Sequence, residues 1–153
     1  MSGSPEHHAW RSFAQLGTAE LYSLLRLRSE VFVVEQQCAY LDIDGRDAEA
    51  DHLLASDSNG CLCGYLRVFG PDAADASARI GRIVTSPRDR KAGLGRWLVR
   101  QALDFVAARY GDVSIKISAQ AYLERFYADF GFERSSPDYL EDGILHCDML
   151  RLK

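Results

Sequence analysis

Gly81-Arg82-Ile83-Val84-Thr85-Ser86-Pro87-Arg88-Asp89-Arg90-Lys91-Ala92-Gly93-Leu94-Gly95-Arg96-Trp97-Leu98 is the stretch on which the fold turns. It reads as a strand, a tight basic turn with two glycines, and the first turns of a long amphipathic helix. That order aims the free N–H groups of a helix N-terminus at whatever anion occupies the turn. Gly93 and Gly95 let the backbone come close to a ligand, and Arg88, Arg90, Lys91 and Arg96 surround it with positive charge. The reading is a seat for a pyrophosphate.

Two familiar glycine loops fail at this position. A Walker loop needs Lys-Ser or Lys-Thr after its last glycine, and Gly95 is followed by Arg96-Trp97. A dinucleotide loop needs a third glycine where this chain has Leu98. What remains is Arg90-Lys91-Ala92-Gly93-Leu94-Gly95, an R-x-x-G-x-G run between a strand and a helix.

Outward from the turn, 153 residues make one domain, expected over 1–153 with residues 1–8 as a loose tail. A net charge of −4 argues against a general nucleic-acid binder and makes the basic turn a local feature. With no signal-peptide pattern and no apolar run of spanning length, a cytoplasmic protein away from membranes is expected. The spacing of Cys38, Cys61, Cys63 and Cys147 suits no zinc site. Cys61 and Cys63 are expected on one strand face as buried thiols. Asp42, Asp44 and Gly45 do not make a calcium loop, because the glycine comes too early and no closing Glu follows.

The spacing predicts a short strand at 10–13 and a helix capped by Thr18 and running to about Val34 or Glu35. A loop follows to Asp47, then a hairpin of strands at 52–56 and 61–69 around Asp57-Ser58-Asn59-Gly60. The strand at 79–85 leads into the turn. The helix beyond it carries Leu94, Leu98, Ala102, Phe105 and Val106 on one face and ends at Tyr110-Gly111. A strand at 113–118, a helix at 119–130, a loop at 135–143 and a strand at 144–152 complete the chain. The unit from 79 to 118 implies a crossover between parallel neighbours. The fold class is α/β (α+β): a mixed, mostly antiparallel sheet of about six to seven strands flanked by helices.

Phe126-Tyr127-Ala128-Asp129-Phe130-Gly131-Phe132 lies about thirty residues past the glycine turn. The turn and this block together resemble the GNAT N-acetyltransferases, in which R-x-x-G-x-G is the acyl-CoA signature and Tyr-x-x-x-Gly-Phe closes the last helix. The chain is most similar to the ElaA-like subfamily. That likeness rests on Leu27-Arg28 with Val31-Phe32-Val33-Val34-Glu35-Gln36, Tyr40-Leu41-Asp42-Ile43-Asp44-Gly45, Ala119-Gln120-Ala121-Tyr122-Leu123 and Glu141-Asp142-Gly143-Ile144-Leu145-His146. One departure is Leu145, where the subfamily commonly has proline.

The resemblance implies acetyl-CoA as acyl donor and an amine of a small molecule or peptide as acceptor, with no metal and a homodimer left open. Backbone groups of Ile83, Val84 and Thr85 would hold the pantetheine arm, one N–H acting as oxyanion donor. Lys91 through Arg96 (Lys91, Ala92, Gly93, Leu94, Gly95, Arg96), with Arg90, would wrap the pyrophosphate. Gln120 would meet the arm, and Tyr127 would protonate the departing thiolate. A solvated basic turn is the plainer account of Arg90 and Lys91, and a core aromatic that of Tyr127. Trp97 reads as packing.

The general base stays open among Glu35, Asp42, Asp44, His52, Glu141, Asp142 and His146, with Glu35, Asp142 and His146 favoured by the subfamily motifs. Arg82 binds acceptor or pairs with an acid. An acyl-homoserine-lactone-synthase-like enzyme, from the Arg28…Val31-Phe32…Glu35 run, and a non-catalytic acyl-CoA sensor are the alternatives.

Overall fold

A computed structural model describes residues 3–90 and 93–153. Eight strands form one sheet: β1 (His7–Ser12), β2 (Asp51–Ser56), β3 (Leu62–Phe69), β4 (Ala78–Thr85), β5 (Ile115–Gln120), β6 (Glu133–Arg134), β7 (Tyr139–Glu141) and β8 (Ile144–Arg151). The order across the sheet is β1-β2-β3-β4-β5-β8-β6, with β7 also on β8. Every pairing is antiparallel except β4 with β5, which the helix α2 (Leu94–Tyr110) connects. The mixed, mostly antiparallel architecture is the expected one. The strand count differs because β6 and β7 are short pieces flanking Ser135–Asp138, inside and just before the stretch read as loop. The expected tail is shorter too, since His7 and His8 already pair with Ser56 and Ala55.

Both sheet faces are covered. On one side α2 and the short α3 (Glu124–Ala128) bury Leu98, Val99, Ala102, Ile115, Ile117 and Tyr127. On the other, α1 (Thr18–Arg28) packs Leu24 and Leu27 on Leu54, Tyr65 and Val84. This explains why β3 reads as an almost continuous apolar run, the pattern of a strand buried on both faces. Cys63 is buried in it, while Cys61 lies exposed before the strand begins, so the two thiols do not share a face.

The helix starts and stops also differ in detail. Gly17, not Thr18, is the residue before α1, and the Glu20 carboxylate accepts the Gly17 N–H at 2.9 Å, so the cap comes from inside the first turn. The α-helical part ends at Arg28. From Ser29 to Glu35 the chain widens into a π-helical turn, with i→i+5 bonds from the Gln36 and Cys38 N–H groups to the Val31 and Val33 carbonyls. Residues 119–130 are not one helix: β5 runs on to Gln120, a 3₁₀ turn spans Ala121–Leu123, and α3 has five residues.

Candidate active site

The site begins where the sheet comes apart. β4 and β5 pair only at Ala78–Ile115 and Arg79–Lys116, then separate. Opposite β3, Arg82 and Ile83 stand against the single residue Leu66, a bulge that bends β4, and Arg82 sits at φ 53°. A non-glycine residue in that region is costly and persists only where its surroundings hold it. Here they do. The Arg82 guanidinium meets Asp42 at 2.8 Å and Asp44 at 3.5 Å, and donates to the Asp42 carbonyl at 3.0 Å. Of the two roles open to Arg82, the ion pair is the one formed.

Behind it lies a buried charge network. Arg28, with no exposed surface, reaches Asp42 at 2.9 Å and Asp47 at 2.7 Å. Arg67 reaches Asp44 at 2.6 Å and Asp47 at 2.9 Å. The bond from Arg67 holds the Asp44 carboxyl well below the usual range, and burial opposes this without overcoming it. Asp47 is likewise depressed: burial pushes it up, but the bonds and charges of Arg28 and Arg67 outweigh that. Asp42 and Asp44 are therefore structural counter-ions. His52 is buried with Nδ1 at 2.6 Å from the Tyr65 hydroxyl and Nε2 at 2.9 Å from the Asp47 carbonyl, and burial lowers its pKa. These three leave the list of candidate bases.

The split opens into a groove of about 840 Å³. Its walls include Ile83, Val84 and Thr85 from β4, Ser118 and Gln120 from β5, and Val31, Phe32, Glu35 and Gln36 from the π turn and its end. At its mouth stands the start of α2. Gly93 is the residue before the helix at φ 77°, which suits glycine, and the first intrahelical bond there runs from the Trp97 N–H to the Gly93 carbonyl. The N–H groups of Leu94, Gly95 and Arg96 thus precede the ladder and have no protein partner among the described residues. A side chain at Gly95 would meet Phe126 at an ordinary 3.8 Å, so packing alone does not demand glycine there. Lys91 and Ala92, expected in the same seat, lie outside the described residues.

Each remaining candidate has a definite place. Arg90 lines the mouth and pairs with Glu35 at 2.6 Å. The Arg96 guanidinium turns away to Asp129 at 2.7 Å, leaving its backbone N–H at the helix start. Leu94 is core by its side chain, packed over Gly64. Gln120 donates to Gln36 at 3.1 Å across the groove.

Tyr127 lines the groove 7% exposed, its ring edge-on to Phe126 and Phe132 and its hydroxyl without a protein partner among the described residues. Burial raises its pKa above the ordinary tyrosine value. At the far end, Asp142 and Gly143 form the β7–β8 turn with positive φ, and the Cys38 thiol donates to the Asp142 carbonyl at 3.1 Å. His146 Nδ1 donates to the Ile144 carbonyl at 2.8 Å, and its Nε2 lies 3.5 Å from Glu141. Glu35, Asp142, His146 and Tyr127 all line one groove. Sequence reasoning missed Cys38 and Ser118 as lining residues, and Tyr139, which bonds to Ser118 from β7. Alternation in β5 could have placed Ser118, but no local pattern marks Tyr139 within its apparent loop.

A mixed sheet opened between its two parallel strands, with a helix N-terminus across the mouth, defines an acyltransferase. An acyl-CoA N-acyltransferase from Pseudomonas aeruginosa, 40% identical, superimposes with a TM-score of 0.89 over 95% of this chain and 99% of that one. The chain belongs to the GNAT acetyltransferase family, in its ElaA-like branch: the acetyltransferase (GNAT) domain matches residues 18–152, and protein ElaA of Escherichia coli is 38% identical over 147 residues, 95% of this chain and 92% of its own. The crystal structure of E. coli ElaA, 35% identical, gives a TM-score of 0.88 over 95% of this chain and 99% of that one. GNAT acyltransferases use an acyl-CoA as cosubstrate and act on amine acceptors. Among the described residues no cluster of His, Cys, Asp and Glu suits a metal ion, and no helix is long and apolar enough to cross a membrane.

Proposed function

We propose that the protein moves an acetyl group from acetyl-CoA to a primary amine of a small molecule or peptide by direct attack. The observation that carries the reading is the continuity of the split with the start of α2. The strand edge at Ile83–Thr85 runs toward the N–H groups of 94–96, which have no partner among the described residues, so one extended molecule with an amide-bearing arm and a pyrophosphate spans both. The arm adds to β4 as a strand would. An N–H of β4 faces the thioester carbonyl and stabilises the oxyanion as the amine attacks. Tyr127, its hydroxyl kept protonated by burial, gives its proton to the departing thiolate. Arg90 exchanges Glu35 for phosphate at the mouth, beside Lys91. Gln120 meets the arm, and Glu35, Asp142 and His146, which line the same groove, are candidate proton acceptors.

The test is release of free thiol from acetyl-CoA with a panel of amines: spermidine, glucosamine, Nα-blocked lysine and a peptide with a free N-terminus. Turnover with at least one is expected. Tight acetyl-CoA binding with no turnover on any of them would sink the reading.

A further inference from the structure

Amine acylation releases a proton at the acceptor nitrogen, separate from the one Tyr127 supplies to sulfur. Several carboxylates near the groove are already engaged: Asp42 and Asp44 by arginines, Glu35 by Arg90. On β5, Ile117 and Ala119 are buried on the α2 side, so Ser118 faces the opposite side with Gln120, into the groove. Its register partner on β8 is Asp148, and β7 brings Tyr139 beside both. Ser118 Oγ is 2.5 Å from the Tyr139 hydroxyl, which is 2.7 Å from Asp148 Oδ1. Ser118 and Asp148 are exposed, one lining the groove and the other lying at the surface.

The proton directions follow from counting hydrogens. A carboxylate has none to give, so Tyr139 spends its single one on Asp148. The short contact to Ser118 is then made by the serine hydroxyl donating to the tyrosine oxygen. The Ser118 lone pairs are left to accept from the groove. We propose that Ser118, Tyr139 and Asp148 form a proton relay from the acceptor amine to solvent, an inference that rests on the amine-acetylation reading. As the C–N bond forms, an N–H bond of the amine breaks and its electron pair stays on nitrogen. That proton bonds to Ser118 Oγ, the serine's own passes to Tyr139, and the tyrosine's passes to Asp148. The resulting carboxylic acid gives the proton to water, and nothing is oxidised or reduced. Burial and the bond to Asp148 push the Tyr139 hydroxyl up to about 12, so it passes a proton on without resting as a phenolate.

The charged groups around the relay are His146, stacked on the Tyr139 ring, with Glu141; Arg134 with Asp138 beyond Ser135; Lys116 two residues along β5; and Arg46 and Arg79, which share a smaller pocket with Ser118 and Asp148. Tyr139→Phe keeps all of them and the stacked ring while removing one oxygen. The experiment measures kcat against pH, from about pH 6 to about pH 10, for the wild type, Tyr139→Phe, Asp148→Asn and the double variant. It uses acetyl-CoA and whichever of the four panel amines turns over fastest.

The relay predicts a loss of about a hundredfold near neutral pH with KM for acetyl-CoA unchanged. The loss shrinks as pH rises, because hydroxide reaching the groove then takes the acceptor's proton in place of the relay, and the double variant is no worse than the worse single one. A pH profile of Tyr139→Phe matching the wild type overturns the relay, as does an equal loss at every pH or losses that multiply. If Tyr139→Phe does not fold, Ser118→Ala takes its place under the same readings. No thiol release by the wild type with any amine overturns the acetylation reading itself and the relay with it.

Discussion

Tyr127 and Glu35 separate two kinds of residue in the groove. Tyr127 has a hydroxyl with no protein partner among the described residues and a pKa raised by burial, so it carries its proton throughout the neutral range. Tyr127→Phe should lower kcat by about a hundredfold or more, the usual scale for a lost proton donor, with little change in acetyl-CoA affinity. Stopped-flow or steady-state kinetics beside calorimetric titration of acetyl-CoA read both numbers, and equal turnover across the pH range removes the acid role. Because burial raises that pKa, the proton is held at every pH below the ordinary tyrosine value, so Tyr127 adds no falling limb to the profile in that range. Glu35 is half exposed and spends itself on Arg90, an ion pair worth about 0–1 kcal/mol at such exposure. Glu35→Gln frees Arg90 and should tighten acetyl-CoA binding by a small factor. If Glu35 also takes the amine proton, kcat falls in the same variant. The two readouts move in opposite senses, so one substitution distinguishes pairing from base.

Among the elements, the bulged β4 and the network behind it decide whether the groove exists. Removing Arg28 leaves each of the buried Asp42 and Asp47 with one arginine fewer, Arg82 and Arg67 remaining, and breaking buried pairs from one side costs up to about 3–5 kcal/mol. Arg28→Met should lower the unfolding free energy by that amount in urea titration, and should weaken acetyl-CoA binding because Asp42 also anchors Arg82 at its positive φ. Gly93→Ala acts at the other end of the same unit. A left-handed alanine costs about 1–2 kcal/mol, so the start of α2 should fray and acetyl-CoA should bind more weakly, while the core under Leu98 is untouched.

These two elements also mark the limits of what the sequence discloses. The turn and α2 were legible because glycine, basic charge and a 3.6-residue apolar period all act within twenty residues. The arginine network was not: Arg28, Asp42, Asp47, Arg67 and Arg82 span more than fifty positions, and their pairing depends on which sheet face each strand presents. The π turn at Ser29–Glu35 looks like ordinary helix to any periodicity argument, yet it places Phe32 and Glu35 on the groove. β7 escaped for the opposite reason, being too short to show a period and held by pairing with β8.

At the scale of the whole molecule, a protein of net charge −4 would on the proposed reading hold a polyanionic ligand, and two electrostatic effects would oppose each other. On the proposed reading the acidic body would repel acetyl-CoA at long range, while Arg90, with Lys91 next to it in sequence, and the start of α2 would attract it at contact. Distance decides between them. At about 0.1 M salt the screening length is about 10 Å, so carboxylates such as Asp72, Asp75 and Glu124 at the surface are already muted if they lie further than that from the mouth. The proposed contacts at the turn would lie within it and remain. Raising salt from about 0.05 M to about 0.5 M should therefore weaken acetyl-CoA binding, by roughly tenfold if two or three such contacts are each worth about 0.5 kcal/mol. S-acetylpantetheine, which has the arm and thioester but no phosphate, should bind more weakly and show almost no salt dependence. Arg90→Ala with Lys91→Ala should bring acetyl-CoA toward that same flat line. If acetyl-CoA instead binds more tightly as salt rises, repulsion by the acidic body dominates and the pyrophosphate does not sit at the basic turn. The split between β4 and β5 would then have to hold the ligand through its arm alone.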